Sequence, residues 1–485
     1  MSIDTVHPLY TDMLDLWTLA EDSYDGEKAI KTKTTTYLPA TSGQREDGQG
    51  KRLTKGQAAY DAYILRAHYP DIFSDAVDAI IGIMHRKPPT IELPDSMAEL
   101  ETNATLLGES LELVLRAINT QQWLTGRLGL LADIRTDTDN PMPVLLMYGA
   151  KAIRNWDDTS VLNDDLDARL VVLDESGYAM ESDLTWVHKN RYRLLGLAGD
   201  NGQLDYSGVY GTYLFEETDS AVTGVQLEVP NFMGSTLDNA IPFSFINACD
   251  LSPTPGNPPL IGLANLCLTI YRGEADYRQN LFMQGQDTLV TVGGVSGIDG
   301  DEDLRTGAGA RIDCQLGGDA KYIGVSSQGL PEQRTALEND YKRAINKSGQ
   351  VLNDSSGGAE SGEALRIRVA ARTATLPLVA KTGAAGLERV LKIIAKWQGA
   401  DPDQVVVKPN LEFTEADLNG QTLVQILQAK GLGAPISYKS IHSYMAEQGF
   451  TRKTFDEESE EIAEEAPGAD IPSSIINDLP NDQAQ

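Results

Sequence analysis

The chain has 485 residues, 41% of them apolar, enough to bury a sizeable core in one elaborated domain or in two to three coupled ones. Its 71 acidic residues against 40 basic ones leave a net charge of −31, which argues against a surface that grips nucleic acid by counterion release; contact with phosphate would be loose, sliding or local. Cys249, Cys267 and Cys314 are far apart and form no CxxC pair, which disfavours a disulfide framework or zinc knuckle and fits a reducing cytoplasm.

The opening residues MSIDTVHPLYTDMLDLW carry acids where a signal peptide carries bases, and no run reaches the ~20 apolar residues that span a bilayer, so a chain soluble when made is expected. A short helix is predicted first, then a polar loop through TKTTTYLPATSGQREDGQGKR, ending near Gly56. From Gln57 to Met84 apolar residues recur at helical spacing with a break at Pro70, predicting two helices or one kinked one. Pro88 to Pro94 reads as a short edge strand and Met97 to Gly129 as two further helices. Between Leu130 and Pro230 the runs VLLMY, RLVVLDE, LTWVHK, YRLLGL, GTYLFEE and VQLEV, separated by Asp, Asn and Gly, predict an antiparallel β-rich region.

After LSPTPGNPP a helix is predicted from about Leu260 to Phe282, then short strands over Gln286 to Ser327 around the acidic turn GIDGDEDLRTG. A second helix opens at Pro331 and is expected to stop before SGQVLNDSSGGAESG, a Ser- and Gly-rich candidate for a mobile loop. Glu363 to Trp397 is a long helical pattern with a bend expected at Pro377. QVVVKPNLEF reads as a strand, Thr414 with Asp417 as a capping box, and Ser437 as the cap of a helix running to about Gln448. From Phe455 to Gln485 there are ten acids and no lysine or arginine, a composition that predicts disorder or folding only against a partner.

No phosphate-cradling GxxxxGK[ST] loop is present: Gly43 to Gly48 and Gly48-Gln49-Gly50-Lys51 miss its spacing or its hydroxyl. Gly294-Val295-Ser296-Gly297 is followed by Ile298 where a nucleophile elbow needs glycine. His7, His68, His85, His188 and His442 are isolated, and the acidic turn lacks the ligand order of an EF-hand. No catalytic residue, metal site or cofactor is therefore assigned.

The stretch from Ile241 to Gly294, IPFSFINACDLSPTPGNPPLIGLANLCLTIYRGEADYRQNLFMQGQDTLVTVGG, and the later SGEALRIRVAARTATLPLV resemble the portal, or head-to-tail connector, family of tailed bacteriophages. YDAYILRAHYPDIFSDAVDAIIGIMHRKPPTIELP, GRLGLLADIRT, NPMPVLLMYGAKAIRNW and LNGQTLVQILQAKGLGAPISYKSIHSYMAEQGF are similar to its siphovirus and prophage-type subfamily. The resemblance implies an α+β, ring-forming portal fold. Its parts would be amino-terminal helices and β-rich wing (1–240), first stem helix (241–285), clip (286–328), second stem helix (329–346) and tunnel loop (347–362). A long kinked helix (363–400), a wing strand with crown helices (401–450) and the acidic tail (451–485) would complete it.

By the same resemblance the chain would form a ring of about twelve copies at one capsid vertex, through which double-stranded DNA is packaged and ejected without sequence readout. Lys342, Arg343 and Lys347 would form rings of weak phosphate contacts, or sit at subunit interfaces paired with Glu332, Glu338 or Asp340, and Gln350, Asn353 and Asp354 would lie nearest the DNA. Asp299, Asp301, Glu302, Asp303 and Arg305 of the clip would dock terminase and then a neck or tail adaptor; major capsid and scaffold proteins are further implied partners, and a membrane is not. The implied location is the virion, with assembly in the host cytoplasm. Two other readings stay open at this point: an enzyme with a non-contiguous carboxylate site, and another phage head or neck structural protein.

Overall fold

The computed structural model is a mixture of helix and sheet in two units, residues 1–411 and 412–485. It describes residues 3, 5–135, 141–157, 169–182, 184–199, 204, 209–216, 227–232, 235–236, 240–284, 288–292, 316–323, 329–352, 375–413, 427–430, 434–447, 451 and 453–465.

In the first unit, α1 (Pro8–Asp25) starts where Pro8 fixes the backbone and the Nδ1 of His7 accepts from the Leu9 amide at 3.2 Å. Helix α2 (Glu27–Thr32) follows, and α3 (Ser42–Glu46) lies within the stretch predicted as loop. The reason is local: Thr41 and Gln44 cap each other's backbone reciprocally, which holds a helical turn that composition alone does not announce. Next come α4 (Lys55–Arg66) and α5 (Ile72–Met84), two helices separated around Pro70 as the interrupted periodicity predicts. After β1 (Thr90–Glu92) lie α6 (Ala98–Thr102) and α7 (Leu111–Leu124), the latter capped by Ser110.

The β-rich region contains two principal antiparallel sheets where the sequence suggested one. The first has the order β12 (Phe243–Asn247), β2 (Arg127–Arg135), β3 (Met142–Gly149). The second has the order β4 (Ile153–Trp156), β5 (Leu170–Asp174), β8 (Arg191–Ala198), β9 (Val209–Glu216), and β10 (Asn231–Phe232) pairs with β11 (Ser235–Thr236) apart from it. Strand β2 is apolar on both faces because it lies between two cores. Leu128, Leu130 and Ala132 enter a helical core with Leu115 and Ile118 of α7, whereas Leu131 packs with Trp156, Leu173, Leu195 and Phe243 between the sheets, where Trp17 of α1 is fully buried.

Helix α8 (Ile261–Gln284) leads to a hairpin of β13 (Thr288–Val292) and β14 (Asp319–Ile323), and this in turn to α9 (Leu330–Leu352). The end of α9 departs from expectation. It continues through Ser348, Gly349 and Gln350, since one glycine costs a helix only about 1 kcal/mol and no proline stops it. Helix α10 (Thr375–Trp397) places Pro377 in its first described turn; the expected portion from Glu363 to Ala374, and with it the bend expected at Pro377, lies outside the described residues.

Leu387, Leu391 and Ile394 of α10 are fully buried against α7 and β2, each contributing roughly 1.5–3 kcal/mol. A buried polar relay fixes the register: His85 Nε2 meets Asn119 Oδ1 at 2.9 Å and Asn119 Nδ2 donates to Gln122 Oε1 at 2.8 Å. Gln122 Nε2 then donates to the Asn247 carbonyl at 2.7 Å. Gly383 leaves room for it, as a Cβ there would stand 2.5 Å from Asn119 Nδ2. Strand β15 (Val406–Lys408) follows α10 and pairs with β1.

In the second unit, Ser437 caps α11 (Tyr438–Glu447) through the Ser440 amide at 3.0 Å, as predicted. Helix α12 (Phe455–Glu465) occupies the start of the acidic tail that composition assigned to disorder. Its first turn is held by Thr454, whose amide donates to Glu457 at 2.8 Å, and by an ion pair between Lys453 and Glu461. Residues 414–426, with the Thr414 and Asp417 capping box, and residues 466–485 lie outside the described residues.

Candidate functional site

Side-chain pairings between α8 and α9 determine their relation. Asn280 donates to Gln333 at 3.0 Å, Tyr341 donates to Glu274 at 3.1 Å, and the Nζ of Lys347 lies over Gly262, where a Cβ would meet it at 2.3 Å. Residue numbers rising on one helix as they fall on the other make the pair antiparallel. Glu274 is 6% exposed and is also paired with Arg278, one turn on. Burial, with the Glu274 carboxylate second, pushes the Tyr341 phenol well above its ordinary range, so it stays a hydrogen-bond donor.

Helix α4 braces the other side of α8. Tyr63 donates to Asp276 at 2.5 Å, Arg66 donates to Gln279 at 2.7 Å, and its guanidinium lies 3.7 Å over the Phe282 ring. Nearer the start of α8, Arg272 donates to the Tyr37 carbonyl at 2.8 Å, and Tyr271 meets Tyr69 edge to face at 6.0 Å. The Cys267 thiol is buried there and pushed up to about 12 by that burial, which keeps it protonated and inert at neutral pH.

All three basic residues singled out on the second helix are exposed on α9. Arg343 pairs with Asp340 at 3.3 Å with 76% of its side chain exposed, an ion pair of about 0–1 kcal/mol. Glu338 is held by Arg334 at 2.8 Å, so two of the acids named as partners, Glu338 and Asp340, are engaged within the same chain. Gln350 falls in the last turn of α9. Asn353 and Asp354, and the acidic-turn residues Asp299, Asp301, Glu302, Asp303 and Arg305, lie outside the described residues, the latter between the strands of the β13–β14 hairpin.

The histidines are dispersed among structural contacts: His7 stacks on Trp156 at 4.0 Å, His68 meets Glu27 at 2.9 Å, and His188 and His442 lie edge-on to Tyr178 and Phe455. Among the described residues no group of His, Cys, Asp and Glu could hold a metal ion, and no helix is long and apolar enough to cross a membrane.

Two features escape the sequence reading. Strands β6 (Gly177–Met180) and β7 (Trp186–Lys189) prolong the β5–β8 hairpin outward as a two-stranded arm. Register places Tyr178 opposite His188 and Met180 opposite Trp186 on one face, and Tyr178, Met180 and Trp186 are 72%, 55% and 65% exposed. The arm's root is pinned where Arg193 binds Glu175 at 2.6 Å and Asp133 at 2.9 Å, with Tyr148 donating to Glu175 at 2.6 Å. The alternation Tyr-x-Met and Trp-x-His was the signal available. The second feature is a row of basic side chains on the outer face of α10, at Lys381, Arg389, Lys392 and Lys396.

Residues 259–398, from the threshold of α8 to just past α10, match the model of a domain of unknown function (DUF4055). No curated protein matches the sequence. Among solved structures, the chain is similar to one in the neck of an empty gene transfer agent (GTA) particle computed with C6 symmetry, at 14% identity over 78% of this chain and 90% of that one, with a TM-score of 0.39. It is likewise similar to one in the virion of a native GTA particle, at 14% identity over 77% and 89%, TM-score 0.37. A third, in the neck of a native GTA particle computed with C12 symmetry, matches at 15% identity over 76% and 87%, TM-score 0.35.

Proposed function

We propose that this chain is a subunit of a phage portal: a non-enzymatic ring at one capsid vertex that conducts double-stranded DNA during packaging and ejection. The observation that carries the reading is the antiparallel pair α8 and α9 with a β hairpin inserted between its members, followed by α10 seated in the β-rich body. In this reading α8 and α9 are the stem, and the segment between them is the clip that docks terminase and later a neck adaptor. Lys342, Arg343 and Lys347, with Gln350, Asn353 and Asp354 beyond them, are the groups nearest the channel. About twelve copies at −31 each carry roughly −370, which repels phosphate and keeps DNA sliding between sparse basic contacts.

The exposed arm also supports assembly. A lone two-stranded hairpin is marginal in water, and its apolar face needs a surface to cover it. Negative-stain imaging of the purified protein, with solution mass measured on the same sample, tests the proposal. Closed rings of about twelve subunits with a central hole are expected. A compact dimer or tetramer with hydrolytic turnover would overturn the portal reading in favour of an enzyme.

A further inference from the structure

Lys381, Glu388, Lys392 and Lys396 are spaced by seven, four and four residues, which with Arg389 beside them puts all five on one face of α10. They form one wall of a cleft of about 530 Å3 whose floor is apolar, with Ile241, Ala384, Ala385, Ile393 and Val407. Glu388 is the one acid in this wall and it is already occupied: Lys392 donates to its Oε1 at 2.7 Å and the Val407 amide to its Oε2 at 3.1 Å. Among the described residues neither Lys381 nor Lys396 has a carboxylate within ion-pair distance, although the chain carries 71 acids. On so acidic a protein, a basic wall is where an anionic ligand arrives, because most of the remaining surface repels it.

The floor decides which anion. A phosphodiester backbone gains nothing from aliphatic contacts, and a cleft of this size seats a few side chains rather than a duplex. We infer that the α10 cleft is a docking site for an extended acidic peptide segment of a partner protein, its aliphatic side chains on the floor and its carboxylates at Lys381 and Lys396, the two ends of the basic wall. The row from Lys381 to Lys396 is about 22 Å long at 1.5 Å per residue, a span that roughly seven extended residues cover. The inference goes beyond the portal reading and does not depend on ring formation.

The test uses the full chain and a fluorescent peptide of about twelve residues in which Asp and Glu alternate with Leu and Ile. Fluorescence anisotropy is expected to report binding that weakens as salt rises and falls about tenfold in the Lys381→Glu/Lys396→Glu variant. Solution mass and thermal unfolding should not change in that variant, whose altered side chains are exposed. An all-Glu peptide of the same charge should bind more weakly, because it cannot use the floor. Failure of the peptide to bind, binding indifferent to the two charge reversals, or preferential binding of a short DNA duplex would each overturn the inference. Ring images answer the portal question separately, so the two can fail independently.

Discussion

Asn119, 2% exposed, is bonded on both sides of its amide, to His85 and to Gln122, in space that Gly383 keeps open. Gly383→Ala is expected to destabilise the protein by about 1–3 kcal/mol, since the clash falls on a buried network with no slack, and denaturant midpoints will measure it. Burial holds the His85 imidazole below its ordinary value, the bond to Asn119 opposing this only in part. The folded state thus resists a proton that the unfolded chain accepts below about pH 6.5, so this share of stability is complete above that value and is lost as pH falls towards the lower folded one. His85→Gln keeps a donor for Asn119 and should flatten the loss of stability between about pH 7.5 and 5.5. Single residues with a backbone role were legible in advance: Pro70 between helices and Ser437 at a cap act through local geometry that any sequence carries with it. The relay was not, because Asn119, Gln122 and Asn247 come together only after α7, β12 and α10 have packed.

Helices α8 and α9 were visible as periodic apolar runs, yet their ends were not equally so. Composition placed the stop of α9 at its Ser-Gly step, whereas the helix continues to Leu352. What ties the two helices is a buried carboxylate and a phenol, and Tyr341→Phe should cost roughly 1.5–3 kcal/mol in unfolding free energy by removing the hydroxyl that Glu274 accepts. Strand β7 was legible in LTWVHK, whereas β6 and the arm they form were not, since alternation tells which residues share a face and not whether anything covers it. Tyr178→Ala combined with Trp186→Ala should leave thermal unfolding of the isolated subunit within about 0.5 kcal/mol of the parent, because both side chains are solvated. The same pair should shift solution mass from ring towards monomer if the arm is an assembly contact. The basic face of α10 was hidden for a related reason: its spacing is plain in LVAKTGAAGLERVLKIIAKW, but which side of the helix is outward depends on the core that Leu387, Leu391 and Ile394 enter.

At the scale of the whole molecule, charge dominates. Copies of the chain at −31 repel one another, and salt shortens the reach of that repulsion from about 30 Å at 0.01 M to about 8 Å at 0.15 M. Assembly of the proposed ring is therefore expected to rise with ionic strength over this range, seen as an increasing ring fraction by solution mass; a ring held mainly by ion pairs would show the opposite trend. Within the chain, α8 and α9 run side by side for about 36 Å, and neither contains a proline beyond its first turn. Their antiparallel course sends the chain towards residues 285–329 from one end and towards residues 353–374 from the other. Mechanically this is a strut clamped along its length by Tyr63, Arg66 and Arg272, so a push at one tip is delivered at the opposite tip as displacement instead of being absorbed at a joint.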